Sequence, residues 1–125
     1  MAGYFGAGCS IVLAGGPLSG HLWFILSDPS PEQMLAVMLV SLKPHSDKTL
    51  ILTVGDHPFI QHDSALDYSN VSLFTISKLN AALASSRCIP HPNMSNGLLK
   101  RVRAAVLASQ RTPNAMLKIC RERFG

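Results

Sequence analysis

Leu35-Ala36-Val37-Met38-Leu39-Val40-Ser41 is the stretch on which the fold turns, an apolar run with no polar residue before its terminal serine. Such a run suits a strand buried on both faces, while Ala36, Met38 and Leu39 are good helix formers and keep a helix as the competing reading. The neighbouring segments favour strands. His21-Leu22-Trp23-Phe24-Ile25-Leu26-Ser27 is apolar and aromatic and stops at Asp28-Pro29-Ser30-Pro31, which is strong turn chemistry. Thr49 to Val54 is rich in β-branched residues and ends at Gly55-Asp56. Ile11-Val12-Leu13, between Gly8 and Gly15-Gly16-Pro17, reads as an earlier short strand, and Val71 to Thr75 alternates with the period of a fifth.

Beyond residue 76 the pattern changes to helices, expected over 77–86, 96–109 and 113–123. Ser77 and Ser95 are the expected caps of the first two. In the second, Leu98, Leu99, Val102, Ala105 and Val106 form an apolar stripe with Lys100, Arg101 and Arg103 mostly on the other side. Thr112-Pro113 reads as cap and first-turn proline of the third, with Met116, Leu117 and Cys120 inward and Lys118, Arg121 and Arg123 outward. Short strands followed by helices define a small α+β domain with a mainly antiparallel sheet. It is expected as a single domain over 1–125, with a β core at 1–76 and a helical, basic part at 77–125.

A chain of 125 residues can bury enough surface to fold without metal or disulfides. At 47% hydrophobic and only 14% charged residues, disorder is not expected and an apolar partner surface is. Cys9, Cys88 and Cys120 are odd in number, far apart and without a CxxC pair, so free thiols in a reducing compartment are expected rather than a disulfide framework or zinc site. No apolar run approaches the roughly 20 residues of a membrane span. The N-terminus has no basic region, and glycines interrupt its apolar stretches, so no signal peptide is expected and the cytoplasm is the expected address. Residues 1–86 hold three basic and six acidic residues, net −3; residues 87–125 hold eight and one, net +7. A tail so basic attracts polyanions or an acidic partner, unless it is simply a solvated helical face.

The densest polar chemistry lies in Gly55-Asp56-His57-Pro58-Phe59-Ile60-Gln61-His62-Asp63-Ser64-Ala65-Leu66-Asp67-Tyr68, read as a loop held by the preceding strand. Its histidines, aspartates, serine and tyrosine are all groups that move or share protons, although turn formation would use several of the same types. His57 and His62 are five apart, which matches neither a helical zinc pair nor a finger spacing. Pro58 holds His57 extended and presents its ring rigidly. His21, beside Gly20 at the mouth of a strand, and Ser41, at the end of another, are candidates for the same cleft edge. No Gly-x-Ser-x-Gly, phosphate-binding glycine loop or paired-carboxylate spacing is present.

The order of these segments resembles the MazF/PemK-like toxin family, small dimeric barrel proteins of toxin–antitoxin systems. Ile11-Val12-Leu13 looks like the family's opening strand and His21 to Ser27 like its second. Leu39-Val40-Ser41 is similar to its third, Ser64 through Ile76 and Leu79 to its strand-then-helix unit, and Met94-Ser95 to Leu107 to its closing helix. His21 stands where the family usually has arginine, and Leu22 where it has proline. The resemblance implies an SH3-like barrel with a terminal helix, a homodimer, a cognate antitoxin partner and metal-independent endoribonuclease activity, with RNA as substrate and no cofactor. Cleavage by the RNA 2′-hydroxyl needs a base, an acid and a stabiliser of the charged phosphorane. Under this reading His21 and His57 are the expected acid and base, with Ser41 and Ser64 positioning the phosphate. His62, Tyr68, Arg101 and Arg103 are the expected substrate-binding residues. A non-enzymatic module binding nucleic acid or protein, and a metal-dependent hydrolase using His57, His62 and an aspartate, are the competing readings. The lack of arginine in residues 44–86 weighs against a nuclease, because phosphorane stabilisation usually recruits a guanidinium.

Overall fold

The computed structural model describes residues 5–15 and 20–125. Gly16, Pro17 and Ser19, part of the expected turn before His21, lie outside them. The chain is α+β, with strands β1 (Ser10–Leu13), β2 (Leu22–Ile25), β3 (Gln33–Ser41), β4 (Ser64–Thr75) and β5 (Cys88–His91), and helices α1 (Ile76–Ala84), α2 (Asn96–Ala108) and α3 (Asn114–Phe124). The five strands form one antiparallel sheet in the order β4-β3-β2-β1-β5. This corrects the closed SH3-like barrel: β4 and β5 are edges, and the sheet is not closed. Among the described residues no helix is long and apolar enough to cross a membrane.

The apolar run of β3 is a strand because both its faces are buried, and its two sets of alternate residues enter different cores. Leu35, Val37 and Leu39 join Leu22, Phe24, Leu26, Leu66 and Tyr68 beneath Leu98, Val102 and Val106 of α2 and Cys120 of α3. Met34, Ala36 and Met38 join Ile11, Trp23 and Ile25 beneath Leu79 of α1, where Trp23 meets Phe74 edge-on at 4.9 Å. Helices on both sides of the sheet thus hide the alternation that a half-exposed strand would display. Each such Leu or Phe stabilises the fold by about 2 kcal/mol.

Thr49 to Val54 is not a strand; only Leu52 bridges, to Ser64, and Val54 is exposed. The expected loop ends earlier than Tyr68, because β4 begins at Ser64 and pairs Ser64 through Asp67 with β3. Between the pairs Met38–Asp67 and Ala36–Ser72, β3 has only Val37 while β4 has Tyr68 to Val71, a bulge that breaks the alternation. Strand β5 escaped the sequence because Pro90 sits inside it. As an edge strand paired to β1 alone, it tolerates that proline.

The helices fall within two residues of their expected bounds, but two of the three expected caps differ. Ser95 does cap α2, its Oγ accepting from the Leu98 N–H at 3.1 Å. Thr75, not Ser77, occupies the cap position of α1, with no side-chain hydrogen bond. Pro113 occupies that of α3. Thr112 is buried, and its hydroxyl donates to the Val106 carbonyl at 2.8 Å, closing the end of α2 rather than opening α3.

Candidate functional site

The pairing register builds the site at one end of the sheet. Ser41 closes β3 opposite Ser64, the first residue of β4. Extending the Trp23–Met38 register by two residues places His21 across from Val40. Residues 53–63 then cross the sheet face that α2 and α3 also cover, anchored by buried Leu52 and Ile60. Between this segment, the strand ends and His91 of β5 lies a cleft of about 520 Å³ whose polar lining includes His21, Ser41, His62, Ser64 and His91. The Ser41 Oγ is 2.8 Å from His62 Nε2. The Ser64 hydroxyl donates to the His62 carbonyl at 2.9 Å and so fixes the backbone that carries the imidazole. Phe59 meets the His91 ring edge-on at 5.2 Å and supplies an aromatic wall. Among the described residues no three His, Cys, Asp or Glu side chains converge as a metal-binding group.

Of the expected residues, His21, Ser41, His62 and Ser64 thus share one cleft. His57 does not. Its side chain is 2% exposed and packs edge-on against Phe24. Nδ1 accepts from the Phe59 N–H at 3.1 Å, which makes Nε2 the protonated nitrogen, and Nε2 donates to the Pro92 carbonyl at 2.7 Å. Ser10 Oγ stands 3.2 Å from the same nitrogen. Burial holds the His57 pKa below its ordinary value, against the opposing pull of the Pro92 carbonyl and with a smaller contribution from neighbouring His91. The ring that Pro58 was expected to present to substrate is turned inward, where it joins β1, the crossing segment and the chain after β5.

Tyr68 is a core residue, 1% exposed, and lines no part of the cleft. Burial pushes its hydroxyl up to about 12, helped by nearby Asp47 and opposed by the Leu50 backbone, which the hydroxyl approaches without a well-formed hydrogen bond. Arg101 pairs with Asp56 at 3.1 Å on the surface. The Asp56 carboxyl sits below its ordinary range because it accepts from the Thr53 backbone N–H and from Arg101. Arg103 donates from Nε to the Leu26 carbonyl at 2.8 Å and lies over the Phe124 ring at 5.2 Å. Neither arginine lines the cleft. His91 and Phe59 were missed. The available signal was Pro90-His91-Pro92, a second His-Pro pair resembling His57-Pro58.

Comparison of the chain with protein-family models, curated proteins and solved structures returned no match. The functional reading rests on the geometry of the cleft.

Proposed function

We propose that this chain is a toxin-like, metal-independent endoribonuclease that cleaves RNA through the substrate's own 2′-hydroxyl. The observation that carries the reading is the meeting of His21, His62 and Ser41 in one cleft, with Ser41 Oγ 2.8 Å from His62 Nε2. With Ser41 donating in the free protein, His62 Nε2 is unprotonated. Once bound RNA displaces the Ser41 hydroxyl from it, Nε2 takes the proton of the 2′-hydroxyl as that oxygen bonds to phosphorus, and His21 gives a proton to the departing 5′-oxygen. The products are a 2′,3′-cyclic phosphate and a 5′-hydroxyl. Two imidazoles suit this exchange near neutral pH, and Ser41, released from His62, joins Gln61 and His91 among the polar groups of the cleft that can hold the phosphate. The SH3-like kinship, the homodimer, the cognate antitoxin and the cytoplasmic address implied by the family resemblance belong to this same proposal. In the open sheet, that kinship is one of element order and not of closure.

A second reading, a non-enzymatic binding module, is favoured by one observation: among the described residues no lysine or arginine lines the cleft, although a phosphorane calls for positive charge. Incubation with single-stranded RNA, with and without chelator, separates the two. Cleavage that survives chelation, leaves cyclic-phosphate ends and falls about 100-fold in either His62→Ala or His21→Ala is expected, the usual size of a proton-transfer contribution. Retention of RNA without cleavage establishes the binding module, and loss of cleavage with chelator establishes a metal-dependent hydrolase.

A further inference from the structure

Beyond Val40 and Ser41 the surface dips again, into a cleft of about 370 Å³ lined by Lys43, His45, Asp47, Asp67 and Arg111. His21, Val40 and Ser41 line both clefts, so the two adjoin at the end of β3. They differ in chemistry. The first holds imidazoles, hydroxyls and an aromatic wall without a lysine or arginine, and the second holds Lys43 and Arg111.

The second cleft has two carboxylates as well, each already accepting hydrogen bonds. Asp47 accepts from the Ser109 hydroxyl at 2.6 Å, from the Thr49 N–H at 2.9 Å and from the Thr49 hydroxyl at 2.5 Å. Burial pushes its pKa upward, yet these hydrogen bonds, with Arg111 nearby, outweigh it and keep the group ionised. Asp67 accepts from the Asn70 amide at 2.7 Å. The cations keep donors in hand. The Lys43 ammonium makes no hydrogen bond or ion pair among the described residues, while its backbone N–H is tied to Ser46 at 2.8 Å. Arg111 donates from Nη2 to the His45 carbonyl at 3.0 Å, which holds the guanidinium in place and leaves its other N–H groups.

A phosphodiester bound beside His21 and Ser41 is followed along the strand by another, and the adjoining cleft is where a lysine and an arginine stand. We infer that the second cleft is a subsite for the phosphodiester flanking the one that is cleaved, held by Lys43 and Arg111. The assignment rests on the proposed nuclease reading and adds to it: the substrate is a polynucleotide with at least two phosphates, and the lysine and arginine donors that the first cleft lacks are supplied by the neighbouring one.

The test measures binding of 2′-O-methyl oligonucleotides, which cannot be cleaved, carrying one or two phosphates. The second phosphate is expected to tighten binding to the native protein and to the His62→Ala variant alike. Lys43→Gln and Arg111→Gln are each expected to abolish that gain and to lower the salt slope by about 0.7, the share of a single phosphate on a single strand. Arg111 also braces the His45 segment, so Lys43→Gln, which removes an ammonium with no partner among the described residues, is the decisive variant, with thermal denaturation checking its fold. If native RNA is not cleaved but the gain depends on Lys43, the nuclease reading falls and the subsite stands. If RNA is cleaved but the gain and the salt slope are unchanged in Lys43→Gln, the subsite is overturned.

Discussion

Both ring nitrogens of His57 are committed, one accepting from Phe59 and one donating to Pro92, in a site closed to solvent. The ring is therefore held neutral. A proton added to Nδ1 would remove the acceptor of the Phe59 N–H and place a charge in the core. The groups that face it are the Ser10 hydroxyl, the Phe24 ring, the Pro92 carbonyl and nearby His91. Since the folded pKa lies below the unfolded value of 6.5, the unfolded chain binds the extra proton first. The contribution to stability is complete above pH 6.5 and is lost as pH falls below it toward the folded pKa. His57→Ala is expected to cost about 3 kcal/mol, because it strands buried partners, and to flatten the fall of stability below pH 6.5. Chemical denaturation across that range checks both effects, and an unchanged midpoint at neutral pH would remove His57 from the framework. His62, five residues on, is exposed and bonded to Ser41. Local sequence does not separate these two histidines: Pro58 fixes where the backbone enters but not which side of the chain meets the core.

At the scale of elements, three of the eight basic residues of the tail act as fasteners. Arg103 of α2 donates to Leu26 just beyond β2, Arg123 of α3 donates to Ser30 and Gln33, and Arg111 between the helices donates to His45. Each binds a carbonyl of a turn or strand end, that of Gln33 alongside the Ser30 N–H. The +7 of this segment was legible from the sequence, but its use was not, since a helical wheel does not reveal carbonyls brought alongside by tertiary packing. Arg103→Ala is expected to cost about 1.5 kcal/mol, through removal of a charged hydrogen bond and of the cation–π interaction with Phe124. It should leave the salt slope of RNA binding unaltered. Arg101→Ala, which removes an exposed pair, is expected to change stability by less than about 1 kcal/mol. Urea denaturation compares the two variants, and equal losses would contradict this ranking.

For the whole molecule, one sheet carries a core on each face, α2 and α3 covering one and α1 the other. The proposed toxin-like function implies a homodimer. Light scattering at micromolar concentration is expected to return twice the chain mass, and a monomer throughout that range would end the dimer proposal. The α+β class, the strands β1 and β2 with a strand favoured at β3, the three helices and the cap at Ser95 were legible in residue order, because turn residues, capping and helical periodicity act within a few positions. The open sheet, the extension of β4 through Ser64 to Tyr68 and the edge strand around Pro90 required long-range pairing to decide. So did the sorting of the histidines. Whether an imidazole is a buried fastener or a cleft group depends on which strand ends lie beside it, and hydrogen bonds such as Ser10–His57 and Ser41–His62 join residues far apart in the chain. Local sequence chose most of the elements; burial and register, which exist only once the sheet is assembled, chose the rest and the site.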